Sequence, residues 1–262
     1  MGEIKDKQYF LQWLADFFDP SLARERWELH SACADVERYY QTLSPEERRA
    51  MEEAVLEWLN GEKWLEEATI LSGNLRIKEA VPRLLKIGGQ YAPVEGDWKA
   101  ECLTRGVIAA LGDIGDRRAV PFLKAEASLC GEKELRRCGI AIQALSRLDM
   151  DEGLQFLPDL VKGDMKYRGQ RALESEDARQ YGKIWYELDL LLSRYDKGIV
   201  PRLAWHLRGL SKEEKRFVLR AFEHALDTAY VFKRDTRFTE AEKEEMLREF
   251  KRGLGLAEDP AA

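Results

Sequence analysis

A segment that recurs at a roughly fixed interval constrains a chain more than any single motif, because each copy must be a unit that buries its apolar side against the next copy. Here the clearest copy is ALGDIGDRRAVPFLKAEA, Ala110 to Ala127. A similar stretch, EAVPRLLKIG, lies upstream from Glu79 to Gly88, with Pro82 standing where Pro121 stands in the first copy. Downstream, the frame Val120-Pro121-Phe122-Leu123 recurs degraded as Leu154-Gln155-Phe156-Leu157 and restored as Val200-Pro201-Arg202-Leu203. Successive frames are separated by roughly 39, 34 and 46 residues, a repetition that predicts a solenoid of stacked units.

The string Ala110-Leu111-Gly112, then Gly115-Asp116, then Ala119-Val120-Pro121 and Leu123, resembles the HEAT repeat in its short bacterial form, which is also seen in phycobilin lyases. The resemblance covers roughly Lys63 to Leu207. It implies an all-α fold, a right-handed α-α superhelix, and leaves the ligand open.

Independently of that resemblance, every clearly periodic segment repeats at the three-to-four spacing of a helix, and no alternating strand pattern persists. One continuous domain is expected: a helical cap over 1–62, four helix pairs over 63–208, a second cap over 209–256 and a frayed tail over 257–262. The pairs are Trp64 to Leu71 with Ile77 to Ile87, Trp98 to Leu111 with Arg117 to Ser128, Glu132 to Leu148 with Glu152 to Val161, and Asp177 to Arg194 with Ile199 to Leu207. Asp19-Pro20 reads as a helix start before a long helix carrying Leu29, Cys33, Val36 and Tyr40. Ser44 with Glu47, Ser211 with Glu214 and Thr239 with Glu242 are capping boxes. Gly112, Gly115 and Asp116 predict the turn inside the second pair, and the prolines near each second-helix start fall where a missing amide costs little. Two glycine-bearing stretches, Gly88 to Asp97 and Gly163 to Ser175, read as loops. The second carries Lys166, Arg168 and Arg171, candidate loop contacts, and its part from Gly163 to Arg171 is expected to be the most protease-sensitive internal segment.

Composition narrows function mainly by exclusion. A formal charge of −6 disfavours a generic polyanion-binding surface. Cys33, Cys102, Cys130 and Cys138 contain no C-x-x-C pair and lie in apolar helical patterns, so they read as small buried hydrophobes rather than disulfides or metal ligands. His30, His206 and His224 form no paired-ligand pattern, and there is no G-x-S-x-G or phosphate-binding glycine motif. Neither catalytic residues nor a cofactor or metal is expected. The amino terminus lacks the apolar core of a signal peptide and no stretch approaches a membrane span, so a cytoplasmic protein is expected.

The candidate binding residues are positional. In each second helix the residue two along from the opening Val or Leu projects about 200° from it, away from the buried side. These residues are Arg83, Phe122, Phe156 and Arg202, with Lys86, Asp159 and Trp205 one rung further on. If second helices line a concave surface, the set forms a ladder of aromatics and arginines suited to a protein partner. The alternative is that Phe122 and Phe156 pack between repeats. Trp13, Trp27, Trp58, Trp64, Trp98 and Trp185 read as mostly core. The expected function is a non-catalytic protein-binding module: an adaptor, an assembly factor or an immunity-type inhibitor, with a basic protein favoured as partner by the acidic balance. A chromophore lyase or isomerase like the phycobilin lyases is the enzyme alternative. A HEAT-like DNA glycosylase stands behind it, and a nucleic-acid or membrane partner is disfavoured.

Overall fold

The computed structural model describes residues 4–19, 26–90, 97–131, 134–173, 182–195, 197–227 and 238–256. The expected tail over 257–262, residues 91–96 of the first expected loop, and Pro20 lie outside them. The described residues are helical almost throughout, and no strand occurs among them. No helix among them is long and apolar enough to cross a membrane.

Two compact units divide the chain, Met1–Phe122 and Leu123–Ala262. The first contains α1 (Lys7–Phe17), α2 (Arg26–Gln41), α3 (Pro45–Asn60), α4 (Leu65–Asn74), α5 (Val81–Gln90) and α6 (Trp98–Ile114). The boundary falls within α7 (Val120–Ala127). The second unit continues with α8 (Leu135–Leu148), α9 (Met150–Leu154), α10 (Leu157–Leu173), α11 (Gly182–Tyr195), α12 (Val200–Leu207), α13 (Lys212–Asp227) and α14 (Glu240–Leu254).

Helix ends follow local chemistry. Ser44 and Glu47 form the expected reciprocal capping box at the start of α3, Thr239 and Glu242 form another at α14, and the Ser211 and Glu214 side chains accept each other's backbone amides before α13. Gly115 ends α6 in the left-handed region at φ 74°, which a side chain would oppose. Asp116 then accepts from the Arg118 amide and opens a short 3-10 turn, 117–119, that leads into α7. The same sequence of 3-10 turn and proline-headed α-helix recurs at 78–80 before α5 and at 197–199 before α12.

In the first unit α4 packs against α3 and α6, and α2 packs on α4. Gly106 of α6 faces the Thr69 methyl of α4, while Gly73 of α4 faces the Ala110 backbone. Both partners advance by one turn in the same direction, so α4 and α6 run parallel at a glycine-permitted close approach. The Arg118 guanidinium also reaches back to the Lys78 carbonyl at 3.0 Å, tying one 3-10 turn to the previous one. The second unit repeats the relation. Gly139 and Gln143 of α8 meet Glu187 of α11, and the Tyr195 hydroxyl donates to the Ser146 carbonyl further along both helices. α8 and α11 are therefore parallel as well. A fully buried carboxylate, Asp164 of α10, accepts from the Ile184 amide at 2.5 Å and caps the start of α11.

Three expectations need correction. The segment read as a loop from Gly163 is helical as far as Leu173, because Gly163 is buried for packing rather than for turning: a methyl there would meet Leu135 Cδ2 at 2.7 Å and the Cys130 carbonyl at 2.9 Å. Gly88 likewise lies inside α5, against the Phe122 ring, so the first expected loop does not begin there. The helix expected over Glu152 to Val161 is broken at Gln155 and Phe156. Pro158 supplies the reason, since it has no amide to bond back to Leu154 and instead takes the second position of α10. The third repeat frame is thus Leu157-Pro158-Asp159-Leu160, three residues beyond where it was read.

Candidate functional site

An open cleft of about 790 Å3 in the second unit is lined by Lys124, Asp149, Asp151, Glu152, Gln155, Arg202, Trp205 and His206. Three short helices build it. Asp149 caps α9, accepting from the amides of Asp151 and Glu152 at 3.1 and 3.4 Å. The cap sets Asp151 and Glu152 in the first turn, where the helix dipole favours negative charge. α12 presents Arg202, Trp205 and His206 opposite, because its buried side is taken by Val200, Leu203, Ala204 and Leu207. α7 contributes Lys124.

Acidic side chains of α9 face Lys124 and the polar side chains of α12 across the cleft. Asp151 lies 3.2 Å from His206 Nε2 and 3.9 Å from the Arg202 guanidinium, and Lys124 lies 3.6 Å from Glu152. The Asp151–Arg202 pair is exposed on both sides, so it contributes little stability and exchanges readily for an equivalent pair with a partner. Between them stands an aromatic surface: the Trp205 indole is 56 % exposed, meets the His206 ring edge-on, and carries the Arg208 guanidinium 4.7 Å above it. The lining holds no hydroxyl or thiol that the His206–Asp151 pair could activate as a nucleophile. Among the described residues no group of three or more His, Cys, Asp or Glu is arranged to hold a metal ion.

Of the residues singled out from sequence, Arg202 and Trp205 are both exposed and share this cleft. Asp159 and Lys162, both exposed, pair with each other on α10 at 3.6 Å and do not line it. Phe156 is half-buried in the turn before α10 rather than on a second helix, so the position equivalent to Phe122 is Asp159. In the first unit Lys86 is exposed, whereas Arg83 is half-buried and its Nε donates to the Leu59 carbonyl at 3.2 Å. Phe122 is half-buried with its ring over Gly88. Lys166 is exposed on α10, not in a loop; Arg168 and Arg171 belong to the same helix, and their side chains lie outside the described residues. Among the tryptophans, Trp58 and Trp185 are buried as expected, but Trp98, the first residue of α6, is 58 % exposed. The Trp27 side chain lies outside the described residues.

Sequence reasoning missed Asp149, Asp151, Glu152, Gln155, Lys124 and His206. Asp149 carried a usable signal as a capping residue followed by Asp151 and Glu152. The pairing of Asp151 with His206 carried none, since the two are 55 residues apart.

Comparison with protein-family models, with characterised proteins and with solved structures finds no match to this chain.

Proposed function

We propose that the chain is a cytoplasmic, HEAT-like solenoid that acts as a non-catalytic protein-binding module, and that the Trp205 cleft is its principal contact surface. The parallel course of successive first helices, α4 with α6 and α8 with α11, supports the stacked-repeat reading. The observation that carries the binding reading is the half-exposed Trp205, flanked by Arg202 and Arg208 above the acidic turn of α9. Trp and Arg dominate binding hot spots, and a rim of exchangeable ion pairs provides orientation at low desolvation cost. A partner carrying basic residues beside an apolar anchor satisfies both halves of the cleft: its cations take Asp151 and Glu152, and its apolar group covers the indole.

The test is paired affinity purification from the native cell with the wild-type chain and with Trp205→Ala, each shown to be folded at the temperature used. The proposal expects a protein retained stoichiometrically by the wild type and lost with the variant. Equal retention by both removes the cleft from the interface, and co-purification of a coloured tetrapyrrole with the wild type points instead to a chromophore enzyme.

A further inference from the structure

Two cysteines that are unremarkable in sequence meet at the junction of α7 and α8. Cys130 is half-buried in the connection, and Cys138 is fully buried in the first turns of α8. Their sulfurs are 2.9 Å apart, and both thiols point at the Ala127 carbonyl that ends α7, at 3.6 and 3.1 Å. The junction is held from two sides. Gly163 of α10 packs directly on the Cys130 carbonyl, and the Arg137 guanidinium lies 3.4 Å from Glu126. A disulfide requires sulfurs about 2.05 Å apart, so closing the bond needs a sulfur movement of less than about 1 Å, within reach of small side-chain rotations.

We propose that Cys130 and Cys138 form a reversible dithiol–disulfide site that exchanges with low-molecular-weight disulfides of the glutathione type. Cys130 is the entry thiol because it alone of the pair is partly accessible, and Cys138 is the resolving thiol behind it. The hydrogen bond from Cys138 holds the Cys130 thiol below its usual range, while that same bond together with burial pushes Cys138 up, so the proton resides on the buried sulfur. In the first step the Cys130 thiolate attacks one sulfur of the external disulfide, forming a mixed disulfide and releasing one small-molecule thiolate, which takes up a proton. In the second, Cys138 gives its proton to solvent and attacks Cys130 Sγ, releasing the other small-molecule thiolate. Two protein thiols are oxidised to one disulfide, and one external disulfide is reduced to two thiols.

The chain supplies an internal comparison. Cys102 is also half-buried and lies beside a cation, the Arg105 guanidinium at 2.7 Å, but has no neighbouring thiol. The experiment equilibrates the full-length protein with oxidised and reduced glutathione, quenches with acid, alkylates the remaining thiols and maps the peptides by mass. The expected result is a Cys130–Cys138 disulfide that dithiothreitol reverses, while any modification of Cys102 stops at the glutathione adduct. Cys130→Ser abolishes the disulfide, and Cys138→Ala leaves Cys130 trapped as a glutathione adduct. If Cys138→Ala does not fold, the wild-type map and Cys130→Ser suffice. Recovery of Cys130 and Cys138 as alkylated thiols under conditions that modify Cys102, or persistence of a Cys130 glutathione adduct in the wild type, overturns the proposal.

Discussion

A methyl group placed at two glycines on the same helix seam is expected to act in opposite directions. Gly73 is buried where α4 crosses α6, and the Cβ of an alanine there would lie 2.8 Å from Ala110 Cα and 3.1 Å from Ala110 Cβ. Carbon atoms rest about 3.5–4.0 Å apart, so the helices must separate by about 0.7 Å or more, and a gap of that size forfeits roughly a quarter to a half of the local dispersion energy. The obstruction is backbone, which cannot rotate away. Overpacking of this kind costs about 1–3 kcal/mol, against a helix-propensity gain of up to about 1 kcal/mol for replacing glycine. Gly73→Ala is therefore expected to destabilise by about 1–2 kcal/mol, lowering the melting temperature by about 2–8 °C. One turn earlier on the seam, a methyl at Gly106 meets only the Thr69 Cγ2 at 3.5 Å, an ordinary contact. Gly106→Ala keeps the propensity gain and is expected to raise the melting temperature by about 2–4 °C. Thermal melts by circular dichroism, with urea titrations to check that the m-value is unchanged, read both signs. If Gly73→Ala stabilises as much as Gly106→Ala, the close parallel approach of α4 and α6 is wrong.

Other consequences are simpler to measure. On α12, Trp205→Ala is expected to cost on the order of 1 kcal/mol because the indole is half exposed, whereas Leu203→Ala, fully buried two residues earlier on the opposite side of the helix, costs about 2–5 kcal/mol; equal melts for the two would place Trp205 in the core. The Arg118 guanidinium and amide hold the Asp116 carboxyl down at about 2. A depressed carboxyl stabilises the fold above its unfolded value of about 3.9 and loses that contribution as pH falls through about 2. Asp116→Asn should therefore flatten the acid limb of the stability curve between those values, and an NMR titration midpoint for Asp116 near 3.9 contradicts the pairing. Limited trypsin digestion should spare the bonds after Lys162 and Lys166, since both lie within α10; early cleavage there means the helix is not formed.

Sequence reading found the all-helical character of the chain and those helix starts that are written in local chemistry: a valine followed by proline, a capping aspartate, a capping box. It failed where one residue type serves two purposes. Gly163 and Gly88 looked like turn glycines, yet each is there to admit a neighbour, the Cys130 carbonyl in one case and the Phe122 ring in the other. No local pattern separates a glycine needed for a turn from one needed for contact. The frame at Leu157-Pro158 was passed over because Phe156-Leu157 mimicked Phe122-Leu123, and the three-residue slip placed Phe156 on a ladder to which Asp159 belongs. Two of α12's three cleft residues, Arg202 and Trp205, were legible as the side opposite a buried stripe. The facing acids on α9 and the meeting of Cys130 with Cys138 depend on which helices pack together, which periodicity within one helix does not encode.

The central claim is that this chain binds a protein through the cleft at Trp205. It is tested most directly by isothermal titration of the purified partner against the wild-type chain, Trp205→Ala and Arg202→Ala, each shown to melt as a folded protein. The account predicts that Trp205→Ala weakens binding by about 2 kcal/mol or more, roughly thirtyfold in Kd, with a smaller loss for Arg202→Ala, which still leaves Arg208 over the ring. An unchanged Kd for both variants contradicts it.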